Sequence, residues 1–194
     1  MVFIMVFQKF QSVDELSHSQ KWLFLIYIPF FFHFSLVANL RYSQNFKSAW
    51  IYSVAPISKP GEIISGSYKA LMIKIFIPVF VMCNSITLYF CGISYVWQVI
   101  TGLFLNVFAI LLLMILFKGH MPFSQERKTT NAGTSFAVSL LMFGISFGLG
   151  GLHYLFVYYR INIFIVMIIS IALSWMLFTI LRKKNWNRIE AINC

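Results

Sequence analysis

Two pairs of side chains in this sequence have types and spacings that suit catalysis. His33 is followed by Ser35, and Ser146 precedes His153 by two helical turns. A histidine beside a serine is the arrangement of a general base and its nucleophile. Neither pair has an obvious acid to orient the histidine or a motif that stabilises an oxyanion, and such neighbours are common in helices. We expect no catalytic residue, and we expect each histidine to hydrogen-bond to a neighbouring helix or to line a translocation path.

The acidic residues, the cysteines and the glycines exclude further kinds of site. The five acids, Asp14, Glu15, Glu62, Glu126 and Glu190, all lie outside the long apolar segments. Proton relays and metal-dependent transfer reactions within a membrane usually need carboxylates inside the spans. The three cysteines follow neither a disulfide nor a zinc spacing, and no GxxxxGK[ST] phosphate-binding loop is present. We expect no metal, no cofactor and no ATP site in this chain.

The composition indicates which environment surrounds these residues. Of 194 residues, 60% are hydrophobic and only 10% are charged, whereas soluble domains average about 45–50% apolar and about 25% charged residues. A soluble chain of this size would lack the polar surface to cover such a core. The net charge of +10 comes from basic residues beside apolar segments. We therefore expect the lipid bilayer as a partner and no nucleic acid.

Five apolar segments are long enough to cross a hydrocarbon layer about 30 Å thick, which takes roughly 20 helical residues. They cover residues 22–40, 70–91, 93–117, 135–158 and 161–181. Each must be helical, because lipid offers no hydrogen-bond partner to a free backbone group. The sequence predicts an all-α fold: a single transmembrane domain over residues 1–194, built as a bundle of five helices with a short interfacial helix on the cytoplasmic side.

The distribution of Lys and Arg predicts how the bundle is oriented. If five helices alternate across the membrane, most of the fifteen basic residues fall on one side. The positive-inside rule assigns that side to the cytoplasm. In a bacterial plasma membrane, the N-terminus would then lie outside the cell and the C-terminus in the cytoplasm. Residues 1–7 are apolar but too short to span, and no basic residue precedes them as in a signal peptide. They either rest on the outer surface or end a span of a longer permease of which this chain is a fragment.

Residues 41–69, which we call the elbow, join the first two spans. Phe46, Ala49, Trp50 and Val54 have helical spacing. This predicts a short helix in the headgroup region, with Trp50 and Tyr52 as interfacial anchors. Pro56 ends that helix. Two interpretations remain open: a loop ordered by the membrane surface, or a docking element for a cytoplasmic protein.

A second helix is predicted to follow within the elbow. Pro60 has the fixed φ that suits a first helical turn, and Glu62 favours a helix N-terminus. This helix would run directly into the second span, where Lys74 lies about one turn inside the bilayer and can extend back to the cytoplasmic face.

The elbow resembles the cytoplasmic segment of some bacterial ATP-binding-cassette (ABC) exporter permeases of the type-two kind. Their pattern is W-I-Y, a Pro-x-x-x-Pro-Gly turn, and a helix with Gly and Lys-Ala. The matching residues here are AWIY at 49–52, APISKPGE at 55–62, Gly66, Lys69-Ala70 and Ile77-Pro78. In these permeases a short cytoplasmic helix after the second span contacts the ATPase. Residues 45–56 follow the first span of this sequence, so they would occupy the same place if one span is missing upstream.

The resemblance implies a membrane-spanning permease subunit that is not itself an enzyme. It would be coupled to a separate cytoplasmic ATPase through residues 45–62, and it would pair with a second membrane subunit or with its own copy. The candidate coupling residues are Trp50, Tyr52, Pro56, Pro60, Gly61 and Glu62.

Several residues within the spans are candidates for helix packing or for a pathway. They are His33, Asn84, Asn106, Gly144, Gly148 and His153. The asparagines suit hydrogen bonds between helices or a translocation path, and the G-x-x-x-G spacing of Gly144 and Gly148 suits close packing or gating. A non-transporting accessory or assembly protein is the alternative function. An intramembrane enzyme, the third hypothesis, would require His33 or His153.

The predicted orientation is tested by labelling single cysteines in a background without native cysteines. Lys59→Cys and Arg127→Cys should both react with a membrane-impermeant maleimide only after the cytoplasmic face is opened, and Tyr159→Cys should react in intact cells. Labelling of positions 59 and 127 from opposite faces would contradict the predicted order of the spans.

Overall fold

The computed structural model describes residues 21–116, 120–126 and 132–188, and these residues are almost entirely helical, with no named strand among them. Five of the helices are long and apolar enough to cross a membrane. The predicted all-α membrane bundle is therefore confirmed. The apolar residues 1–7 and three of the basic residues that the predicted orientation counts, Lys118, Arg127 and Lys128, lie outside the described residues.

The helices follow the predicted spans closely at most of their ends. The long helices are α1 (Trp22–Asn39), α3 (Pro60–Cys91), α4 (Ile93–Leu116), α5 (Ala132–Tyr158) and α6 (Ile163–Arg182). The elbow contains a short helix, α2, which is 3-10 over Phe46–Trp50 and α-helical over Ile51–Val54. A 3-10 turn over Trp186–Arg188 follows α6. Helix α3 begins ten residues before the predicted second span because, as predicted, the second elbow helix runs directly into that span. The second elbow helix and the span are one continuous helix of 32 residues, about 48 Å long at 1.5 Å per residue.

A π-helical turn over Met72–Phe76 interrupts α3. Pro78 follows it within two residues and explains it, because proline has no N–H to donate and its ring clashes with the carbonyl four residues back, that of Lys74. The turn separates a first half, Pro60–Leu71, from a second half, Ile77–Cys91. Turns of this kind are frequent at functional sites in helices.

The start of α1 lies at the centre of the bundle. Trp22, Leu23, Ile26, Tyr27 and Phe30 are at most 1% exposed and form the core with side chains from α3 and α4. Glycines permit this close packing: a Cβ on Gly150 of α5 would come within 2.6 Å of the Phe24 ring, and one on Gly102 of α4 would overlap Ile26. Small residues at such contacts are typical of helices packed in membranes.

The remaining packing is uneven. The pair α4 and α6 makes the most extensive helix contact. By contrast, most of α5 is exposed, including Phe136, Leu140 and Phe147. Because lipid covers apolar side chains as well as protein does, this exposure fits a membrane environment.

The connections give the bundle two distinct ends. Gly92, with a φ of 104°, turns α3 into α4, and Arg160, with a φ of 53°, lies in the turn from α5 to α6. Asn162 begins α6 by accepting a hydrogen bond from the Phe164 backbone N–H at 3.0 Å. We call the end of the bundle that carries these two turns the far end. The opposite end, which carries α2 and the last residue of α6, is the elbow end.

Candidate coupling site

The helix α2 exposes some of its apolar side chains and buries others. Trp50, Ile51 and Val54 are 55%, 53% and 65% exposed, whereas Ala49 is buried and Tyr52 packs against the core. Partial burial raises the pKa of Tyr52.

The prediction that Phe46, Ala49, Trp50 and Val54 share one face is therefore wrong in detail. The first part of α2 is a 3-10 helix, in which residues three apart align. Ala49 and Tyr52 consequently face the protein, while Trp50 and Val54 point away from it.

The turn after α2 has the backbone geometry that its prolines dictate. Ile57 donates its N–H to the Ala55 carbonyl at 2.7 Å, which closes a three-residue γ-turn around the exposed Pro56. Lys59 is extended, as expected for a residue before proline. Pro60 then occupies the first turn of α3 and Glu62 lies in the same turn. The predicted turn between two elbow helices is present in this form.

Gly61 brings α3 against the end of α6. A Cβ at this position would overlap the Leu181 carbonyl oxygen and would lie 2.7 Å from that of Arg182. The Gly61 N–H donates to the Lys184 carbonyl at 3.1 Å. Only glycine leaves room for backbone against backbone here, so the identity of this residue sets how closely the elbow and the last span approach.

Two side-chain contacts reinforce this junction. The Trp186 indole N–H donates to the Ile57 carbonyl at 3.0 Å. The Arg182 guanidinium lies 3.6 Å from the Glu62 carboxylate, but both side chains are more than half exposed, so this ion pair adds little stability. The γ-turn and the start of α3 are thus both fixed to the chain around the end of α6.

The loop before α5 pairs with the start of the elbow. Phe123 donates its N–H to the Leu40 carbonyl, Gln125 donates to that of Arg41, and Ser43 donates to that of Gln125, at 2.9, 2.9 and 3.0 Å. The start of the elbow and the loop before α5 therefore lie at the same end of the bundle. Sequence reasoning did not identify this pairing, since nothing in either loop marks its partner.

His153 lies in a hydrogen-bonded network near the far end. Its Nδ1 is 2.8 Å from the Tyr27 hydroxyl and its Nε2 is 2.9 Å from the Gln98 side-chain oxygen. Ser146 donates to the Tyr27 backbone carbonyl at 2.8 Å and not to the histidine. The bonds join α1, α4 and α5, which is the role in helix packing expected for His153.

His33 has a different environment near the middle of α1. It is fully buried, its ring stacks on Phe76 at a centroid distance of 3.8 Å, and neither ring nitrogen has a hydrogen-bond partner among the described residues. Of the two roles expected for His33, the hydrogen bond to a neighbouring helix is not made within this part of the chain. Ser35 is exposed and accepts from the Asn39 side chain, so the two histidine–serine pairs of the sequence are not brought together.

The other span candidates are also placed. Asn84 and Asn106 are buried, and each donates to the carbonyl four residues earlier in its own helix, at 3.0 and 2.7 Å. Their Oδ1 atoms have no hydrogen-bond partner within the described ranges. Gly144 and Gly148 face outward, because a Cβ on either would meet nothing within 4 Å. Within the described chain they therefore make no close helix contact.

A scan against protein-family models finds no match, and searches of curated proteins and of solved structures find no similar chain. Fold and site together define an integral membrane helical bundle whose elbow is fixed to its last span.

Replacing Gly61 tests this junction, and Gly66 in the same helix supplies the matched control. Gly61→Ala should lower stability by about 1–3 kcal/mol, because the clash is with backbone that cannot rotate away. Gly66→Ala meets nothing within 4 Å and should be neutral or stabilising by up to about 1 kcal/mol. Thermal unfolding of the two variants in a neutral detergent measures the difference. Equal effects would show that the close approach at Gly61 is unimportant.

Proposed function

We propose that this chain is the membrane-spanning permease subunit, or part of the subunit, of an ABC exporter in a bacterial inner membrane. A separate cytoplasmic ATPase docks on the elbow, and a second membrane subunit or a second copy completes the pathway. The N-terminus lies outside and the C-terminus in the cytoplasm. The elbow residues carry the family resemblance. The given sequence contains no phosphate-binding loop, so the proposal assigns ATP hydrolysis to a separate subunit.

The exposed apolar patch of α2 is the observation that carries this proposal. Trp50, Ile51 and Val54 point away from the bundle, on a helix whose other face is packed. Contiguous apolar surface beside polar residues is typical of interaction sites, and tryptophan is enriched where binding energy concentrates.

The contacts behind the patch supply a route for coupling. A force on α2 would reach α3 through the turn around Pro56, and α6 through the backbone contact of Gly61. The π-helical turn at Met72–Phe76 lets the first half of α3 change angle without carrying the second half with it. The elbow is thus built to pass a displacement to two spans together.

A non-transporting accessory protein remains the second candidate, and the outward glycines of α5 favour it. Gly144 and Gly148 form a stripe of small residues with open space beside it, which suits close packing of a helix from another subunit. A permease that pairs with a second membrane subunit would use the same surface, so this stripe alone does not separate the two functions.

Replacing Trp50 separates them, with Trp175 as the matched control. Both tryptophans are more than half exposed, and Trp175 lies on α6 within a span. Trp50→Ala should weaken association with an ATPase subunit that co-purifies with the wild-type chain at least tenfold, as expected for a tryptophan at the centre of an interface. Trp175→Ala should leave association unchanged. Co-purification in nanodiscs and the ATPase rate of the complex provide the readouts.

Two outcomes would contradict the proposal. In the first, no ATPase associates with the wild-type chain in nanodiscs. In the second, an ATPase associates and Trp50→Ala leaves both association and ATPase rate unchanged, in which case α2 is an element of the membrane surface and the accessory function is favoured.

A further inference from the structure

His33 of α1 contacts α3 on both sides of the π-helical turn. Its ring stacks on Phe76, the last residue of the turn, at a centroid distance of 3.8 Å. It also lies nearly parallel to the ring of Tyr68 in the first half of α3, at a centroid distance of 5.8 Å and an interplanar angle of 16°. One side chain of α1 thus connects the two halves of α3 across the point where that helix can bend.

His33 and Tyr68 share an unfavourable environment. Each is at most 2% exposed, and neither the two ring nitrogens nor the hydroxyl has a hydrogen-bond partner among the described residues. A buried polar atom without a partner is destabilising, whereas a bond to a neighbouring polar group removes that penalty. A neutral histidine has one donor and one acceptor nitrogen, and a tyrosine hydroxyl both donates and accepts. The two side chains can therefore bond to each other in either histidine tautomer.

The stacked arrangement of the two rings prevents this bond. The donor and the acceptor of an imidazole lie in the plane of its ring, whereas Tyr68 lies over the face of the His33 ring. The hydroxyl can reach a nitrogen only if Tyr68 moves from the face of the imidazole towards its edge. Because Tyr68 belongs to the first half of α3, that movement needs a change in the angle between the two halves. The π-helical turn over Met72–Phe76 lies where such a change can occur.

The stacked and the bonded arrangements are close in free energy. The stacked one keeps the ring contacts of His33 and leaves polar atoms without partners. The bonded one forms a hydrogen bond and gives up a ring contact. An aromatic contact and a hydrogen bond between neutral groups contribute similar amounts to stability. We therefore expect both arrangements to be populated.

From these observations we propose that His33 and Tyr68 form a two-state latch on α3. In the stacked state, which is the structure described above, the two rings lie face to face. In the bonded state the Tyr68 hydroxyl and a His33 ring nitrogen share a hydrogen bond, and the first half of α3 takes a different angle. The latch is built from this chain alone and needs no ATPase, so its failure and the failure of the proposed function are separate results.

The latch lies one helical turn deeper than a cavity at the elbow end. This cavity has a volume of about 390 Å³ and opens between the helices. Val37 of α1 and Ile64 of α3 line it, and each lies four positions from its latch residue on the same helix face. A movement of Tyr68 carries Ile64 with it, so the state of the latch sets the width of the cavity.

Solid-state NMR of the full chain, frozen in lipid bilayers to trap both states, detects the bond. Histidine is labelled with ¹⁵N and tyrosine with ¹³C at Cζ, and the pair of His153 and Tyr27, bonded at 2.8 Å, supplies an internal control. We expect two sets of His33 nitrogen resonances, one of which has a contact to Tyr68 Cζ as strong as that of the control pair. Tyr68→Phe should remove that set. A single set of His33 resonances, as expected if ordered water bridges the two side chains in one conformation, would overturn the proposal.

Spin labels test whether the bond changes the angle of α3. Gly66→Cys, where a side chain meets nothing within 4 Å, and Tyr158→Cys at the far end are both exposed, and are labelled in a background without native cysteines. Double electron–electron resonance should show two distances. Tyr68→Phe should lower the population of one of them about fivefold, as expected for the loss of a hydrogen bond between neutral groups.

Tyr27→Phe is the matched control for the spin-label experiment. It removes a hydroxyl that is equally buried but already bonded to another histidine, and it should leave the ratio of the two distances unchanged. His33→Phe keeps a ring for stacking and should act as Tyr68→Phe does. One distance in the labelled parent protein, or the same response to Tyr27→Phe and Tyr68→Phe, would contradict the latch.

Discussion

The backbone contact between Gly61 and the end of α6 is the constraint on which the elbow end depends. It holds the first turn of α3 against the last turn of α6, with the Gly61 N–H bonded to the Lys184 carbonyl. Because backbone atoms cannot rotate out of the way as side chains do, this contact fixes how closely α3 and α6 approach each other. The same junction positions Lys184 at the cavity wall. The candidate coupling segment and this part of the cavity wall are therefore held by one junction.

The far end is held by a different kind of interaction. There Tyr27, His153 and Gln98 join three helices by hydrogen bonds between side chains, and Ser146 adds a bond to the Tyr27 carbonyl. The elbow end instead combines backbone contacts, a cavity and exposed apolar side chains. The two ends are therefore held differently: side-chain hydrogen bonds join the helices at the far end, and backbone contacts join them at the elbow end.

Much of the fold could be predicted because apolar length alone determines which segments span a membrane. The turn chemistry of Pro56 and Pro60 likewise located both elbow helices. What the sequence did not reveal arises from contacts between distant residues or from small changes in helix type. The 3-10 geometry of α2 rotates Trp50 outward, and Arg41 meets His120 across 79 residues. His33 could be recognised as buried, but its missing partner depends on how Phe76 stacks over it.

The central claim is that the elbow and the end of α6 move as one unit. Spin labels on Ser58→Cys and Asn185→Cys, both exposed positions, measure their separation by double electron–electron resonance in nanodiscs. We expect one narrow distance distribution that is unchanged when the proposed ATPase partner is present and binds nucleotide, while the distance from Ser58→Cys to a label on Tyr158→Cys at the far end shifts. A broad distribution between positions 58 and 185, or a nucleotide-dependent change in it, would contradict the account.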